Sequence, residues 1–161
     1  MPAMTDPHDA LVSFQAMLPL GVLQLHKCDL DPNLQVHRDE PAPGVQRLTY
    51  VYTDNEIVTA LAMFVNVEPV EGRPCFMIGY AVPPEYQRQG RAKAIVRAAV
   101  AEVRNGFGRV RVLPLYVEAI VGKENLPSRK VAEATISKSP KALTDEVSGK
   151  PAFQYLLKLE P

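Results

Sequence analysis

Hydrophobic and polar positions along this chain follow two periods, one typical of strands and one typical of helices. After residue 44 apolar residues alternate with polar ones or form short runs, which predicts strands at residues 45–52, 57–67 and 75–82. Turn residues separate these strands, so we expect an antiparallel meander. The second strand is almost wholly apolar and rich in β-branched residues, which predicts burial on both of its faces.

The helical period begins after this meander. Apolar residues recur at helical spacing over residues 92–104, which predicts an amphipathic helix that the pair Asn105-Gly106 ends. The elements that follow alternate between the two periods: a strand at residues 110–121, a helix at residues 125–134 and a strand at residues 152–159.

The flanking segments are less regular. Residues 10–25 are mostly apolar but contain Pro19 and Gly21, which predicts only a short helix before the proline. Residues 29–44 contain three prolines and clustered acids, and they are expected to form a loop. Residues 138–149 are expected to form a loop or an irregular strand.

The order of these elements predicts the fold class. A meander followed by helix, strand, helix and strand is typical of an α/β domain with a mixed, mostly antiparallel central sheet and flanking helices. The length of 161 residues suits one domain, which we expect to cover residues 1–161.

Charge and composition exclude some classes of partner and site. The chain has 18 basic and 18 acidic residues, so nothing predicts nucleic acid or an anionic membrane as a partner. No apolar run approaches the ~18 residues of a membrane span. The N-terminus lacks a secretory pattern, and Cys28 and Cys75 are too few for a disulfide framework, so a reduced cytoplasmic setting is expected. His26 and the two cysteines lack metal-ligand spacing, so no metal is expected.

Candidate chemistry lies at the entrance of the first helix after the meander. The segment PPEYQRQGRA joins a predicted strand to that helix. A helix N-terminus presents unpaired N–H groups and a partial positive charge, and Gly90 lets a ligand approach the backbone closely. Arg88 and Arg91 add positive charge. These features predict a phosphate-binding cradle, while an ordinary turn that needs glycine for its geometry is the alternative.

Two short motifs resemble the GNAT superfamily of acyl-CoA-dependent N-acyltransferases, especially the branch of the ribosomal-protein alanine acetyltransferases. The family's loop reads Gln or Arg, two residues, Gly, one residue, and Gly or Ala. Its second motif reads Asn-x-x-Ser/Ala-x-x-Val/Leu, which Asn125, Ser128 and Val131 match here. Helix capping is a structural explanation for the first two of these. The loop motif is matched by Gln87, Arg88, Gln89, Gly90, Arg91 and Ala92.

The resemblance implies how acetyl-CoA would bind as co-substrate. It places the pantetheine arm in a split between the strand ending at Val82 and the strand at residues 110–121. Backbone groups near Tyr80 and Val82 would pair with that arm, and the N–H of Val82 would donate to the thioester carbonyl. The amides of residues 88–92 would bind the pyrophosphate, with Asn125 and Ser128 completing the binding residues.

The catalytic residues are harder to transfer from the family. Many members protonate the departing thiolate with a tyrosine seven residues after the motif asparagine, but this position holds Ala132. Glu118, a carboxylate in an apolar strand, is a candidate general base, with an outward-facing strand glutamate as the alternative. Tyr155 in the last strand is the second catalytic candidate.

The resemblance therefore implies an N-acetyltransferase that acts on a primary amine by direct attack, and the composition adds the expectation that it is cytoplasmic. The acceptor would be a protein N-terminus, a lysine or a small amine. Because Ala132 replaces the family's tyrosine, the alternative is a non-catalytic module that binds acetyl-CoA and regulates a partner. The sequence also leaves a homodimer open.

Overall fold

A computed structural model describes residues 6–161, and one mixed sheet organises that part of the chain. The eight strands lie in the order β1-β2-β3-β4-β5-β6-β8-β7. Every neighbouring pair is antiparallel except β5 and β6, which are parallel. The strands are β1 (His26–Lys27), β2 (Gln35–Ala42), β3 (Val45–Asp54), β4 (Ile57–Val70), β5 (Arg73–Ala81), β6 (Leu115–Gly122), β7 (Lys141–Thr144) and β8 (Pro151–Leu159).

Three α-helices cover the two faces of this sheet. They are α1 (Pro7–Met17), α2 (Arg91–Arg109) and α3 (Leu126–Thr135). Helices α2 and α3 pack on one face, named here the helix face, where their apolar residues join the larger hydrophobic cluster. Helix α1 packs on the opposite face, named here the α1 face, through Leu11 and Phe14. This arrangement confirms the predicted mixed, mostly antiparallel sheet with flanking helices.

Strand β4 shows why the meander could be predicted from hydrophobicity. Its alternate residues enter both cores, with Phe64 in the cluster on the helix face and Leu61 and Met63 in the cluster on the α1 face. All three side chains are almost completely inaccessible to solvent. The predicted burial of this strand on both faces is therefore confirmed.

Helix α2 also fastens the segment between β1 and β2. The carboxylate of Glu102 accepts hydrogen bonds from the backbone N–H groups of Leu30 and Asp31 at 2.7 to 3.1 Å. Asp29 forms an ion pair with Arg109 in the last turn of the same helix. The buried carboxylate of Glu102 thus provides hydrogen-bond acceptors for backbone N–H groups of the loop between β1 and β2.

Several predicted boundaries are wrong. Residues 29–44 are not all loop, because Gln35–Ala42 pairs with β3 as strand β2. Helix α2 does not end at Asn105-Gly106 but continues to Arg109. The strand predicted at residues 110–121 begins only at Leu115. Local turn residues were given too much weight in the first two cases and the mostly apolar residues 110–113 in the third, because tertiary pairing and packing determine where these elements begin and end.

The remaining elements agree with the sequence pattern. The predicted short N-terminal helix is α1, and a 3-10 turn at Leu18–Leu20 follows it. Residues 141–144 form the short strand β7, within the segment predicted as loop or irregular strand. The prediction of one domain over residues 1–161 extends to residues 1–5, which lie outside the described residues.

Candidate active site

The parallel strands β5 and β6 separate and form an open fork. They pair only at Cys75 with Tyr116, Phe76 with Val117, and Met77 with Glu118. Beyond the last of these pairs, β5 remains bonded to β4 and β6 to β8, so their facing edges are left without a neighbouring strand. The fork therefore exposes free backbone N–H and C=O groups of the kind that bind an extended ligand arm.

The predicted cradle lies directly beyond the β5 arm of this fork. A 3-10 turn at Pro84–Tyr86 follows the strand, and helix α2 begins after Gly90. Arg88 and Gly90 both have positive φ, at 61° and 73°. Such an angle is unusual for a residue with a side chain such as Arg88, so the loop holds a specific, tightly turned backbone conformation.

The backbone of this loop provides free hydrogen-bond donors. Within the described residues, the N–H groups of residues 88–93 have no hydrogen-bond partner, and the first helical bond runs from the N–H of Ala94 to the carbonyl of Gly90. No side chain caps the helix. A Cβ atom built on Gly90 would meet no protein atom within 4 Å, so the space in front of the loop is open. This geometry fits a diphosphate.

The side chains of the loop mostly brace it. The amide of Gln87 donates to the carbonyl of Val82 at 2.9 Å, which ties the loop to the end of β5. Arg91 donates to the side chain of Gln89 and lies over the ring of Tyr86, with 5.0 Å between the guanidinium carbon and the ring centroid. Backbone groups, rather than these side chains, are therefore the main donors available to a ligand.

The second motif lies across the fork at the start of α3. Asn125 caps this helix by accepting a hydrogen bond from the N–H of Ser128, so the predicted cap is confirmed. Ser128 does not cap a second N–H group. Its carbonyl accepts a hydrogen bond from the hydroxyl of Tyr80 at 2.7 Å, and its own hydroxyl donates to the same phenol oxygen at 3.0 Å. Burial raises the pKa of Tyr80 to about 12, an effect that the bond to Ser128 partly offsets.

Tyr155 lies on the same face of the sheet as Tyr80. Its side chain is 0% exposed, in the cluster that also contains Ala119 and Ala132. Its hydroxyl has no hydrogen-bond partner among the described residues. A buried hydroxyl without a partner is costly, and it is the kind of group that a bound ligand or an ordered water satisfies.

Glu118 lies at the base of the fork on the α1 face. It is only 7% exposed, so the alternative of an outward-facing strand glutamate is wrong. Its carboxylate accepts a hydrogen bond from the side-chain amide of Gln154 on β8 at 2.7 Å. Burial raises the pKa of the nearby Cys75 thiol to about 12, with a further contribution from Glu118. The two catalytic candidates, Glu118 and Tyr155, thus lie on opposite faces of one sheet.

A basic cavity lies between α2 and α3 on the helix face. It measures about 450 Å³ and is lined by Lys93, Lys130, Glu133, Ala134 and Lys138. Lys130 and Lys138 are distant from Lys93 along the chain, so the sequence pattern alone does not bring the three lysines together. Packing of α3 against α2 places the three side chains around one space.

The described residues offer neither a metal-binding cluster nor a membrane-spanning helix. Residues 6–161 contain no cluster of three or more His, Cys, Asp or Glu side chains that could hold a metal ion. None of the helices in this part of the chain is both long and apolar enough to cross a bilayer.

A known protein family matches most of the chain. The profile described as acetyltransferase (GNAT) family matches residues 15–135, which is most of the chain. The matched region includes the fork, the loop before α2 and the whole of α3, and it ends before β7 and β8. No curated protein sequence matches the chain.

Solved structures give matches at the level of the fold. A spermidine N-acetyltransferase chimera from Vibrio cholerae has a TM-score of 0.53 at 14% identity, covering 70% of this chain and 69% of its own. A ribosomal-protein-alanine N-acetyltransferase from Brucella melitensis gives 0.53 at 13% identity, with coverage of 70% and 69%. A ribosomal-protein-S5-alanine acetyltransferase from Vibrio fischeri gives 0.52 at 14% identity, with coverage of 71% and 62%.

Proposed function

Because this chain belongs to the acetyltransferase (GNAT) family, we propose that it transfers an acetyl group from acetyl-CoA to a primary amine. The observation that carries this proposal is the open loop at Gly90, with its unpartnered N–H groups, next to a fork with two free strand edges. A diphosphate fits the loop, and an extended pantetheine arm fits the adjoining fork. The acceptor is a protein N-terminus, a lysine or a small amine.

The residues that bind acetyl-CoA follow from this geometry. The pyrophosphate accepts hydrogen bonds from the backbone of residues 88–92, where Arg88 and Arg91 add positive charge. The pantetheine arm lies along the free edge of β5, pairing with backbone groups of Tyr80 and Val82. Gln87 and Gln89 hold the loop in shape, and Asn125 and Ser128 form the opposite wall.

The basic cavity between α2 and α3 supplies a place for a further anionic group. Lys93, Lys130 and Lys138 surround it, on the same side of the sheet as the first turn of α2. We assign the 3′-phosphate of CoA to this cavity, because three cations around one space attract a dianion from solution. This charge comes in addition to the backbone donors of the loop.

The reaction involves two proton transfers, one from the attacking amine and one to the departing sulfur. The amine nitrogen attacks the thioester carbon, whose oxygen accepts a hydrogen bond from the N–H of Val82. Glu118 accepts the proton of the attacking amine through bridging water, because it lies at the base of the fork rather than at its mouth. Tyr155 belongs to the leaving-group side, because its ring lies on the helix face.

A non-catalytic acetyl-CoA sensor is the second candidate function. Ala132 at the position of the family's tyrosine favours it, because the side chain that usually protonates the departing thiolate is missing. A free thiol has a pKa of ~8.5 and leaves tolerably without an acid, so catalysis does not require that tyrosine.

The experiment that separates the two candidates measures CoA thiol release from acetyl-CoA with a panel of amines. The panel contains spermidine, free lysine and peptides with N-terminal alanine or serine. Release that depends on one class of amine identifies an acetyltransferase and its acceptor. Tight acetyl-CoA binding without release for any amine identifies the sensor, and failure to bind acetyl-CoA contradicts both.

The two reduced cysteines are consistent with activity in the cytoplasm, which we propose as its location.

A further inference from the structure

The replacement of the family's tyrosine by Ala132 leaves a defined place on α3. Ser128 and Ala132 are four residues apart in this helix, so they lie on the same face, one turn above the other. Side chains in a helix point back toward its N-terminus and cover the preceding turn. A tyrosine at position 132 would therefore extend its hydroxyl over the turn that contains Ser128.

That place is occupied here by a phenol from a different strand. The hydroxyl of Tyr80 reaches across from β5 and forms both of its hydrogen bonds with Ser128. Ala132 is 0% exposed, so neighbouring side chains fill the space that its short side chain leaves. A phenol hydroxyl therefore lies at the turn of α3 that a tyrosine at position 132 would cover, and it is carried by β5 rather than by the helix.

We propose that Tyr80 is the hydrogen-bond donor to the departing sulfur of CoA. This inference rests on the proposed acetyl transfer, and it assigns a side-chain role to a residue for which the family pattern predicts only backbone contacts. Tyr80 lies on the part of β5 whose edge faces the fork, so its hydroxyl is beside the path of the pantetheine arm.

The chemical step balances without a further reactant. The amine nitrogen forms a bond to the thioester carbon, the carbon–sulfur bond breaks, and its electron pair stays on the sulfur. The Tyr80 hydroxyl turns from the Ser128 carbonyl to the sulfur and stabilises the thiolate. The amine proton passes to Glu118 and then to water, and the thiolate takes a proton from water after release. Because burial raises the pKa of Tyr80 to about 12, the donor stays protonated at working pH.

Tyr155 acts through Tyr80 as a positioning residue. Its buried hydroxyl has no partner among the described residues, and its charged form would raise the pKa of Tyr80 further. Tyr155 lies close enough to Tyr80 for the two side chains to influence each other electrostatically, so the dipole of its hydroxyl polarises the Tyr80 hydroxyl and strengthens it as a donor.

The experiment titrates the thiol of CoA bound to the enzyme, followed by the ultraviolet absorbance of the thiolate. In the wild type the phenol lowers the pKa of the bound thiol, and Tyr80→Phe raises it by about one to two units. The same variant lowers kcat by about 10- to 100-fold with acetyl-CoA affinity nearly unchanged. Tyr155→Phe shifts the thiol pKa in the same direction by a smaller amount.

Tyr116→Phe is the matched control, because it removes a buried phenol from β6 whose hydroxyl bonds to Glu71 on the other face. The control leaves the thiol pKa at its wild-type value. If Tyr80→Phe binds CoA with an unchanged thiol pKa, Tyr80 is not the donor, while acetyl transfer itself stands. If the wild type does not bind CoA, the proposed function fails and this inference with it. If Tyr80→Phe unfolds, Tyr80→Met replaces it, because methionine fills the space without a hydroxyl donor. An unchanged thiol pKa in that variant and in Tyr155→Phe overturns the inference.

Discussion

The hydroxyl of Tyr80 on β5 donates a hydrogen bond to the carbonyl oxygen of Ser128 on α3, at a distance of 2.7 Å. This bond connects the two arms of the fork, because α3 follows β6 directly and Tyr80 belongs to the opposite strand. It also connects the strand that leads into the loop motif with the second motif, which opens α3. The chemistry of the site therefore depends on how these two elements fit together.

The first prediction concerns the space shared by Tyr80 and position 132. Ala132→Tyr lowers the free energy of unfolding by about 1–3 kcal/mol, because a second phenol is forced into a filled core. In the double variant Tyr80→Ala/Ala132→Tyr the new ring takes the vacated space. The two changes are then non-additive by about 1 kcal/mol or more. Urea unfolding of the wild type, both single variants and the double variant measures this coupling, and strict additivity shows that the two side chains do not share a site.

The second prediction concerns Glu118. Glu118→Gln keeps the size and the hydrogen-bonding capacity of the side chain but removes the base, so the acyl-transfer rate falls by about 10²-fold or more. Acetyl-CoA affinity changes little, because the carboxylate lies on the face opposite the helices. Steady-state kinetics and calorimetry on the same preparation separate the two effects. An unchanged acyl-transfer rate at pH 7 would show that Glu118 is not the base and serves only as a hydrogen-bond partner of Gln154.

The third prediction concerns stability at high pH. Burial raises the pKa of both Cys75 and Tyr80 to about 12, from 9.0 and 10.0. The unfolded chain loses these protons at lower pH than the folded chain, so the free energy of unfolding falls as pH rises. The contribution is complete below pH 9 and is lost progressively up to about pH 12. Urea unfolding at several pH values measures the slope, which Tyr80→Phe reduces between pH 10 and 12; a flat profile contradicts the assignment.

The fourth prediction concerns the attachment of the segment between β1 and β2. Glu102→Ala removes the acceptor for the N–H groups of Leu30 and Asp31, which lowers the free energy of unfolding by about 2–4 kcal/mol. Arg97→Ala is a control on the exposed face of the same helix, with an expected change within about 0.5 kcal/mol. Thermal unfolding of both variants tests this. Equal melting temperatures show that the bonds to Glu102 add nothing to stability.

The sequence predicts the centre of the fold well because hydrophobic periodicity is strongest there. Strand β4 is buried on both faces and α2 on one, and each period is visible in the printed residues. Strand β2 could not be predicted, because Pro41 and its acidic neighbours indicate a loop unless the pairing with β3 is known. The extension of α2 past Gly106 likewise depends on packing rather than on local preference.

The candidate site likewise has one part that the sequence predicts and another that it does not. The loop at Gly90 could be predicted because a phosphate cradle is local in sequence. The arrangement of Tyr80, Ser128 and Tyr155 could not, because it joins two strands and a helix that are distant along the chain. The buried state of Glu118 depends on β8, which the pattern does not place beside β6. Contacts between side chains of different elements can be predicted only when the order of the strands in the sheet is known.

Calorimetric titration of acetyl-CoA into the wild type and Gly90→Glu tests the central claim most directly. The new side chain enters the open space before the loop and brings a negative charge beside the phosphates. Losing two charge-assisted hydrogen bonds, at about 1.5–3 kcal/mol each, weakens binding by roughly two to four orders of magnitude. Gly44→Glu is the matched control, since its φ of 76° equals that of Gly90 within a few degrees and its Cβ also meets no protein atom. The account predicts that Gly90→Glu loses affinity while Gly44→Glu binds like the wild type; equal affinity in all three proteins would contradict it.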